Sequence, residues 1–249
     1  MKEEDRQRTI RLKLARLESP SDRAVIATGF SALDSALGVG GLPRGRIVEL
    51  FGPSSSGKTT LALQIVARLQ RRGSTPAWID AEHAFDPGYA ASLGVAVERL
   101  PVMQPDSAEQ ALDIARTLAS SGAVELLVID SAAALVPQLE LDTSLGEAGY
   151  GLYSRVLASG LRRLAMAIAR AGTCVVFLNQ LRTRRGSGGE QSETSAGGPP
   201  LKLYAAVRIA LYQGTGRRLL FRILKNKAAK AFTDGDLEWK QGSGFVETP

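Results

Sequence analysis

With 249 residues, 44% of them hydrophobic, the chain is long enough for one large domain with a substantial core. A single cysteine, Cys174, excludes an intramolecular disulfide, and a single histidine, His83, excludes a multi-histidine metal centre. The net charge of +6 is unevenly spread: residues 180–230 hold 11 Lys/Arg against 2 Asp/Glu, whereas residues 1–179 hold 19 of each. This late basic block is read either as a solvated face or as a surface for nucleic acid.

In chain order, residues 1–20 are highly charged and carry Ile10, Leu12, Leu14 and Leu17, which predicts a short amphipathic helix ending at Ser19-Pro20-Ser21. From residue 44 strand-like and helix-like segments alternate. Strands are expected at 46–51, 76–80, 99–103, 124–129 and 173–178, and helices at 57–72, 86–93, 107–121 and 152–171. In the last helix Leu157, Leu161, Leu164 and Ile168 fall on one apolar face. Such alternation predicts an α/β fold with a mostly parallel central sheet and helices on both faces. Cys174 lies in the apolar run 173–178 and is expected to be a buried strand residue. Residues 205–212 and 217–224 read as a hairpin turning at Gln213-Gly214-Thr215-Gly216, and 236–246 as a further strand, an antiparallel C-terminal extension. The stretches 138–150 and 182–200 read as irregular; a loop as long as the second is functional or disordered. No apolar run reaches the length of a membrane span and no signal peptide is apparent, so no membrane contact and a cytoplasmic location are expected.

The most specific motif is Gly52-Pro53-Ser54-Ser55-Ser56-Gly57-Lys58-Thr59, followed by Thr60, which has the spacing of a phosphate-binding loop. The apolar run Ile47–Phe51 precedes it, and Leu61, Leu63, Ile65, Val66 and Leu69 follow at near-helical spacing. A strand that turns through glycines into a helix leaves backbone N–H groups unpaired at the helix start. Those donors and the positive end of the helix dipole favour a polyphosphate. Lys58 would then reach the β- and γ-phosphates, and the Thr59 hydroxyl would ligate Mg²⁺. Nucleoside triphosphate binding is the expectation.

Two further carboxylate groups end apolar strands. Asp130 closes Leu126–Ile129, the position from which a phosphate-loop protein supports Mg²⁺. Asp80 and Glu82 follow Trp78-Ile79; strand C-termini gather round the ligand in an open α/β sheet, so Glu82 would polarise an attacking water. The alternative is that Asp80 and Glu82 cap the following helix.

Beyond these motifs the chain resembles the bacterial RecA recombinase family. The resemblance is carried by Ala27-Thr28-Gly29, Leu33–Gly38, Gly40–Arg46, GPSSSGKTT at 52–60 and DAEHAFDPGYA at 80–90. It continues through QPDSAEQAL at 104–112, SGAVELLVIDSAAALVP at 121–137, FLNQLR at 177–182, LKLYAAVR at 201–208 and LKNKAA at 224–229. It implies an ATPase core over 25–249, preceded at 1–24 by a short segment that would link subunits. It implies ATP and Mg²⁺ as ligands, with Glu82 as the water-orienting carboxylate. Asp86 and Tyr89 would contact adenine, and Gln180 would sense the γ-phosphate. Lys225 and Lys227 would reach the ATP of a neighbouring subunit, so that the competent species is a self-assembled oligomer. The resemblance also implies single-stranded DNA as partner, through the stretches 138–150 and 182–200. Arg155, Arg162 and Arg182 match basic positions there, Gly197 and Gly198 match backbone donors to phosphate, and Arg184 and Arg185 add local charge.

The sequence also departs from that family. The middle of the second DNA-facing stretch, Arg184-Arg185-Gly186-Ser187-Gly188-Gly189, has no bulky apolar side chain to wedge between bases. Pro199 follows Gly198 where an asparagine is expected, Leu203 stands for an aromatic residue, and Ser54 for an acidic one. Against the family, an abbreviated N-terminal segment and the absence of its C-terminal domain are expected. Two functions therefore remain open. One is a DNA-dependent ATPase of recombinational repair. The other is an accessory protein of the DNA-damage response, for example in translesion synthesis, that binds ATP and other repair proteins without strand exchange.

Overall fold

Short apolar runs rich in Val, Ile and Leu form the strands at the centre of the molecule, and amphipathic segments between them supply the covering helices. The computed structural model describes residues 25–143, 151–185, 191–196 and 198–248. In chain order the elements are β1 (Val25–Ile26), α1 (Ser31–Ala36), β2 (Leu42–Pro43), β3 (Ile47–Gly52), α2 (Lys58–Arg71), β4 (Pro76–Asp80) and α3 (Pro87–Ser92). There follow β5 (Val102–Met103), α4 (Ala108–Ser120), β6 (Leu126–Asp130), α5 (Gln138–Asp142), α6 (Leu152–Ala171), β7 (Cys174–Arg185) and β8 (Gln191–Ser195). The chain ends with α7 (Pro199–Tyr204), β9 (Val207–Gln213), β10 (Arg218–Asn226), β11 (Asp234–Lys240) and β12 (Gly244–Glu247).

The main sheet runs β12-β11-β10-β9-β3-β7-β6-β4-β5, with β8 paired to β7. Strands β9, β3, β7, β6, β4 and β5 are mutually parallel, and β9 to β12 continue antiparallel. This is the expected mostly parallel α/β sheet with an antiparallel extension. Because side chains alternate across a strand, each inner strand feeds two cores. On one face Val48, Leu50, Val128, Val176 and Leu178 pack with Leu61 and Ile65 of α2. On the other Ile47, Leu127, Ile129, Val175 and Phe177 pack with α4 and α6. Cys174 is fully buried, as its apolar run predicts.

Helix α6 begins and ends where the sequence predicts, with Leu157, Leu161, Leu164 and Ile168 buried. Each such side chain contributes about 1.5–3 kcal/mol on burial. Gly172 ends it in the left-handed region, donating its N–H to Ile168 O at 2.8 Å. Ser107 caps α4 by accepting from Gln110 N.

Four sequence expectations need correction. The strand expected at 99–103 is only Val102–Met103, because Val97–Arg99 form a 3-10 turn and Pro101 lacks the N–H a ladder needs. The strand expected at 236–246 is two strands, β11 and β12, divided by a turn through Gly242 at φ 78° and Gly244 at φ 74°. The stretch 182–200 is not a bare loop: β7 runs on to Arg185, pairs with β8 in the register Leu181↔Ser195 to Arg185↔Gln191, and α7 follows. Pro199 and Pro200 occupy the first turn of α7, where a missing N–H costs nothing. Within 138–150, residues 138–142 form the short helix α5, and 144–150 lie outside the described residues. The helix expected within 1–20 also lies outside them. Among the described residues no helix is long and apolar enough to cross a membrane.

Candidate functional site

Strand β3 brings Gly52 to the C-terminal edge of the sheet, and the chain turns through Pro53–Gly57 into α2. Gly57 has φ 86°, and a Cβ there would lie 2.5 Å from Phe245 Cζ, so only glycine fits. Pro53, Ser54 and Ser55 are exposed and Ser56 is buried. Lys58 Nζ donates to Gly52 O at 3.2 Å and Pro53 O at 2.7 Å, which holds the ammonium over the loop. Burial lowers the Lys58 pKa, opposed by the charges of Asp130 and Glu82.

Thr59 Oγ1 donates to Asp130 Oδ2 at 3.0 Å, joining the start of α2 to the end of β6. Desolvation pushes Asp130 up to about 6, with the Thr59 hydrogen bond and Lys58 opposing and Glu82 and Asp80 reinforcing. Among the described residues no group of three or more His, Cys, Asp or Glu forms a metal cage. The hydroxyl and carboxylate pair is an all-oxygen donor set of the kind Mg²⁺ takes together with substrate phosphates. Thr59 and Asp130 therefore fit Mg²⁺ as ligands, direct or through water.

Glu82 stands beside them. Ala81 N and Glu82 N donate to Asp130 O at 2.7 and 3.2 Å, and Ser131 Oγ donates to Glu82 Oε1. Asp80 has a different task from Glu82. It is buried, accepts from Ala84 N and Phe85 N at 3.1 and 3.0 Å and from Gln104 Nε2 at 2.9 Å, and so shapes the turn that presents Glu82. Neither caps α3. That role belongs to Asp86, whose Oδ1 accepts from Tyr89 N at 2.9 Å. Tyr89 OH meets Thr60 Oγ1 at 2.6 Å, which fixes the ring beside the phosphate loop.

Gln180 is exposed on β7 and lies opposite Gly52 in the parallel register, one strand from the loop. Lys225 and Lys227 are on and just beyond β10. Lys225 Nζ donates to Lys202 O and Leu203 O at 2.8 and 3.1 Å, the C-terminal carbonyls of α7. Thr59, Asp130 and Glu82 are thus joined by direct contacts, and Thr60 and Tyr89 by another, while Lys58 bonds the phosphate loop itself and Lys225 contacts α7 instead.

On the basic side, Arg155 and Arg162 are exposed on α6, and Arg162 is hydrogen-bonded by Tyr204 of α7, which raises its pKa. Arg182, Arg184 and Arg185 lie on β7 where it pairs with β8. Gly198, at φ 70°, leads into α7; Gly197 lies outside the described residues. Sequence reasoning missed Ser131 and Gln104 as the groups that orient Glu82 and its turn. Ser131 follows Asp130 directly, but nothing in the spacing shows that its hydroxyl faces a carboxylate 49 residues earlier.

A strand, a glycine-wrapped phosphate loop and a helix, with a carboxylate closing a parallel strand two places away in the sheet, define the P-loop NTPase fold. The family described as the RecA N-terminal domain matches residues 10–246. The chain is 47% identical over 238 residues to Protein RecA of Gluconacetobacter polyoxogenes, covering 92% of this chain and 68% of that protein. It is 48% identical over 230 residues to Protein RecA of Bifidobacterium breve, covering 89% and 59%. With Protein RecA of Citrifermentans bemidjiense the identity is 46% over 243 residues, covering 94% and 72%. The chain belongs to the RecA family.

Proposed function

We propose that the protein is an ATPase of DNA recombination and repair that binds single-stranded DNA and hydrolyses ATP at the interfaces of a self-assembled oligomer in the cytoplasm. The observation that carries this reading is Glu82, fixed by Ser131 and by the Asp130 carbonyl within the cluster that holds Lys58 and Thr59. The loop N–H groups and Lys58 would bind the phosphates of ATP. Mg²⁺, held through Thr59 and Asp130, would neutralise charge on the β- and γ-phosphates. Glu82 would accept a proton from the attacking water or orient it, and Tyr89 and Asp86 would flank adenine. Lys225 and Lys227 of a neighbouring subunit would offset the charge that develops in transfer. Arg155, Arg162, Arg182, Arg184, Arg185, Gly197 and Gly198 would contact DNA phosphates, giving affinity without sequence preference.

The wedge-free stretch Arg184–Gly189 favours a second reading, the accessory protein that binds ATP and repair partners without strand exchange. Steady-state ATP hydrolysis with and without single-stranded DNA separates the two, in wild type and in Glu82→Gln. DNA-stimulated turnover that falls at least about a hundredfold in the variant, with ATP still bound, is expected. Turnover indifferent to both DNA and the substitution would leave the accessory reading.

A further inference from the structure

Behind the nucleotide site lies a polar network that the chemistry of hydrolysis does not use. Glu49 is fully buried in β3, three residues before Gly52, and pairs with Arg208 directly opposite on β9. Arg208 is itself buried, with its guanidinium 4.4 Å from the Phe51 ring centre and Nη2 donating to Ser195 Oγ at 3.3 Å. Asn179 of β7, also fully buried, is the hub. Its Nδ2 donates to Glu49 Oε1 and to Ala196 O, both at 2.8 Å, and its Oδ1 accepts from Gln180 N at 2.9 Å. Ala196 N returns a bond to Gln180 O at 2.9 Å. Across β9, Arg208 is the register partner of Lys225.

Stability does not explain this arrangement. A buried ion pair is often no more stabilising than well-packed apolar residues of the same volume. Apolar side chains, however, have no directional bonds with which to fix Gln180 and the foot of the β7–β8 hairpin to the strand under the phosphate loop. A fully satisfied network does that, because a shift of any one member leaves a buried donor or acceptor unpaired.

Resting on the functional reading above, we propose that Glu49, Arg208 and Asn179 are positioning residues that make the Gln180 backbone, the β7–β8 hairpin foot and the phosphate-loop strand move as one body, so that nucleotide state sets affinity for single-stranded DNA. None of the three belongs to the phosphate loop. Their loss uncouples the two ligands without removing either site.

The test measures the affinity of the full chain for a labelled single-stranded oligothymidylate with a non-hydrolysed ATP analogue and with ADP. The wild type is expected to bind DNA roughly tenfold or more tightly with the analogue. Glu49→Leu combined with Arg208→Met replaces both charges together and so avoids a lone buried ion. It is expected to keep nucleotide affinity within about threefold while the analogue-to-ADP ratio for DNA falls towards one. Should that variant fail to fold, Asn179→Ser keeps the ion pair, removes the amide bridge and carries the same expectation. A merely structural role would lower the melting temperature and leave the ratio at its wild-type value, and that result overturns the proposal alone. A wild type whose DNA affinity ignores the nucleotide would overturn this proposal together with the functional reading.

Discussion

Asp130 lies where burial, Glu82 and Asp80 oppose its ionisation, and its pKa is pushed from 3.8 to about 6, chiefly by desolvation. The folded chain therefore holds this proton more tightly than the unfolded chain does. The sign follows from linkage: the stability contributed is complete below about pH 4 and is lost as pH rises through about 6. At neutral pH the ionised Asp130 costs up to about 3 kcal/mol, the equivalent of a two-unit shift. Asp130→Asn removes that cost. In the presence of a chelator the variant should melt several degrees higher than wild type at pH 7.5, since each kcal/mol is worth about 2–4 °C in a domain of this size. The gain should shrink towards nothing near pH 4, where both states of the wild type are protonated, and Mg²⁺-dependent nucleotide binding should weaken. Thermal unfolding followed by circular dichroism at the two pH values checks this, and an equal or lower melting temperature at pH 7.5 would contradict it.

At the scale of elements, the turn from β3 into α2 depends on Gly57, where both the backbone angle and the Phe245 ring exclude a side chain. The two effects can be separated. Gly73, just past α2, has φ 80° but no atom within 4 Å of an added Cβ, so Gly73→Ala bears the dihedral cost alone, about 1–2 kcal/mol of stability. Gly57→Ala bears that cost and also displaces Phe245 or the loop. Titration with a fluorescent ATP analogue should show an affinity loss of about tenfold or more for Gly57→Ala and none for Gly73→Ala. Equal affinities would show that the loop adapts. This turn was legible in the sequence because the glycines, the lysine and the flanking apolar runs sit within one short stretch. Helix α6 was legible because its buried leucines repeat at the helical period. The β7–β8 hairpin was not. Its strands carry Thr, Arg, Ser and Glu, and what makes them strands is pairing across five unbroken register positions, not composition. The Glu49, Asn179 and Arg208 network was equally hidden, since its members lie in three separate strands. A glutamate inside an apolar run was the available signal, because a buried charge must find a partner, but only the sheet order identifies which.

Taken as a whole molecule, the protein ties Lys225 to the end of α7 rather than to its own phosphate loop. The lysine is bound to the carbonyls that end α7, and its pKa is lowered by desolvation and by neighbouring Lys227 and Arg208. If Lys225 and Lys227 serve the ATP of an adjoining subunit, each working site takes Glu82 from one chain and the lysines from the next, a head-to-tail interface. Two dead proteins should then restore each other. Glu82→Gln alone and Lys225→Ala with Lys227→Ala alone should each lose DNA-stimulated turnover, the second with nucleotide affinity little changed. In an equal mixture, random assembly gives about a quarter of interfaces an intact Glu82 and intact lysines on the required sides. Turnover should recover to roughly that fraction of wild type, and it should depend on total protein concentration because assembly precedes hydrolysis. A mixture no more active than its components would mean that the lysines act within their own subunit or only on folding. Equal loss of ATP binding in the lysine variant would point to the first of these, and a lowered melting temperature to the second.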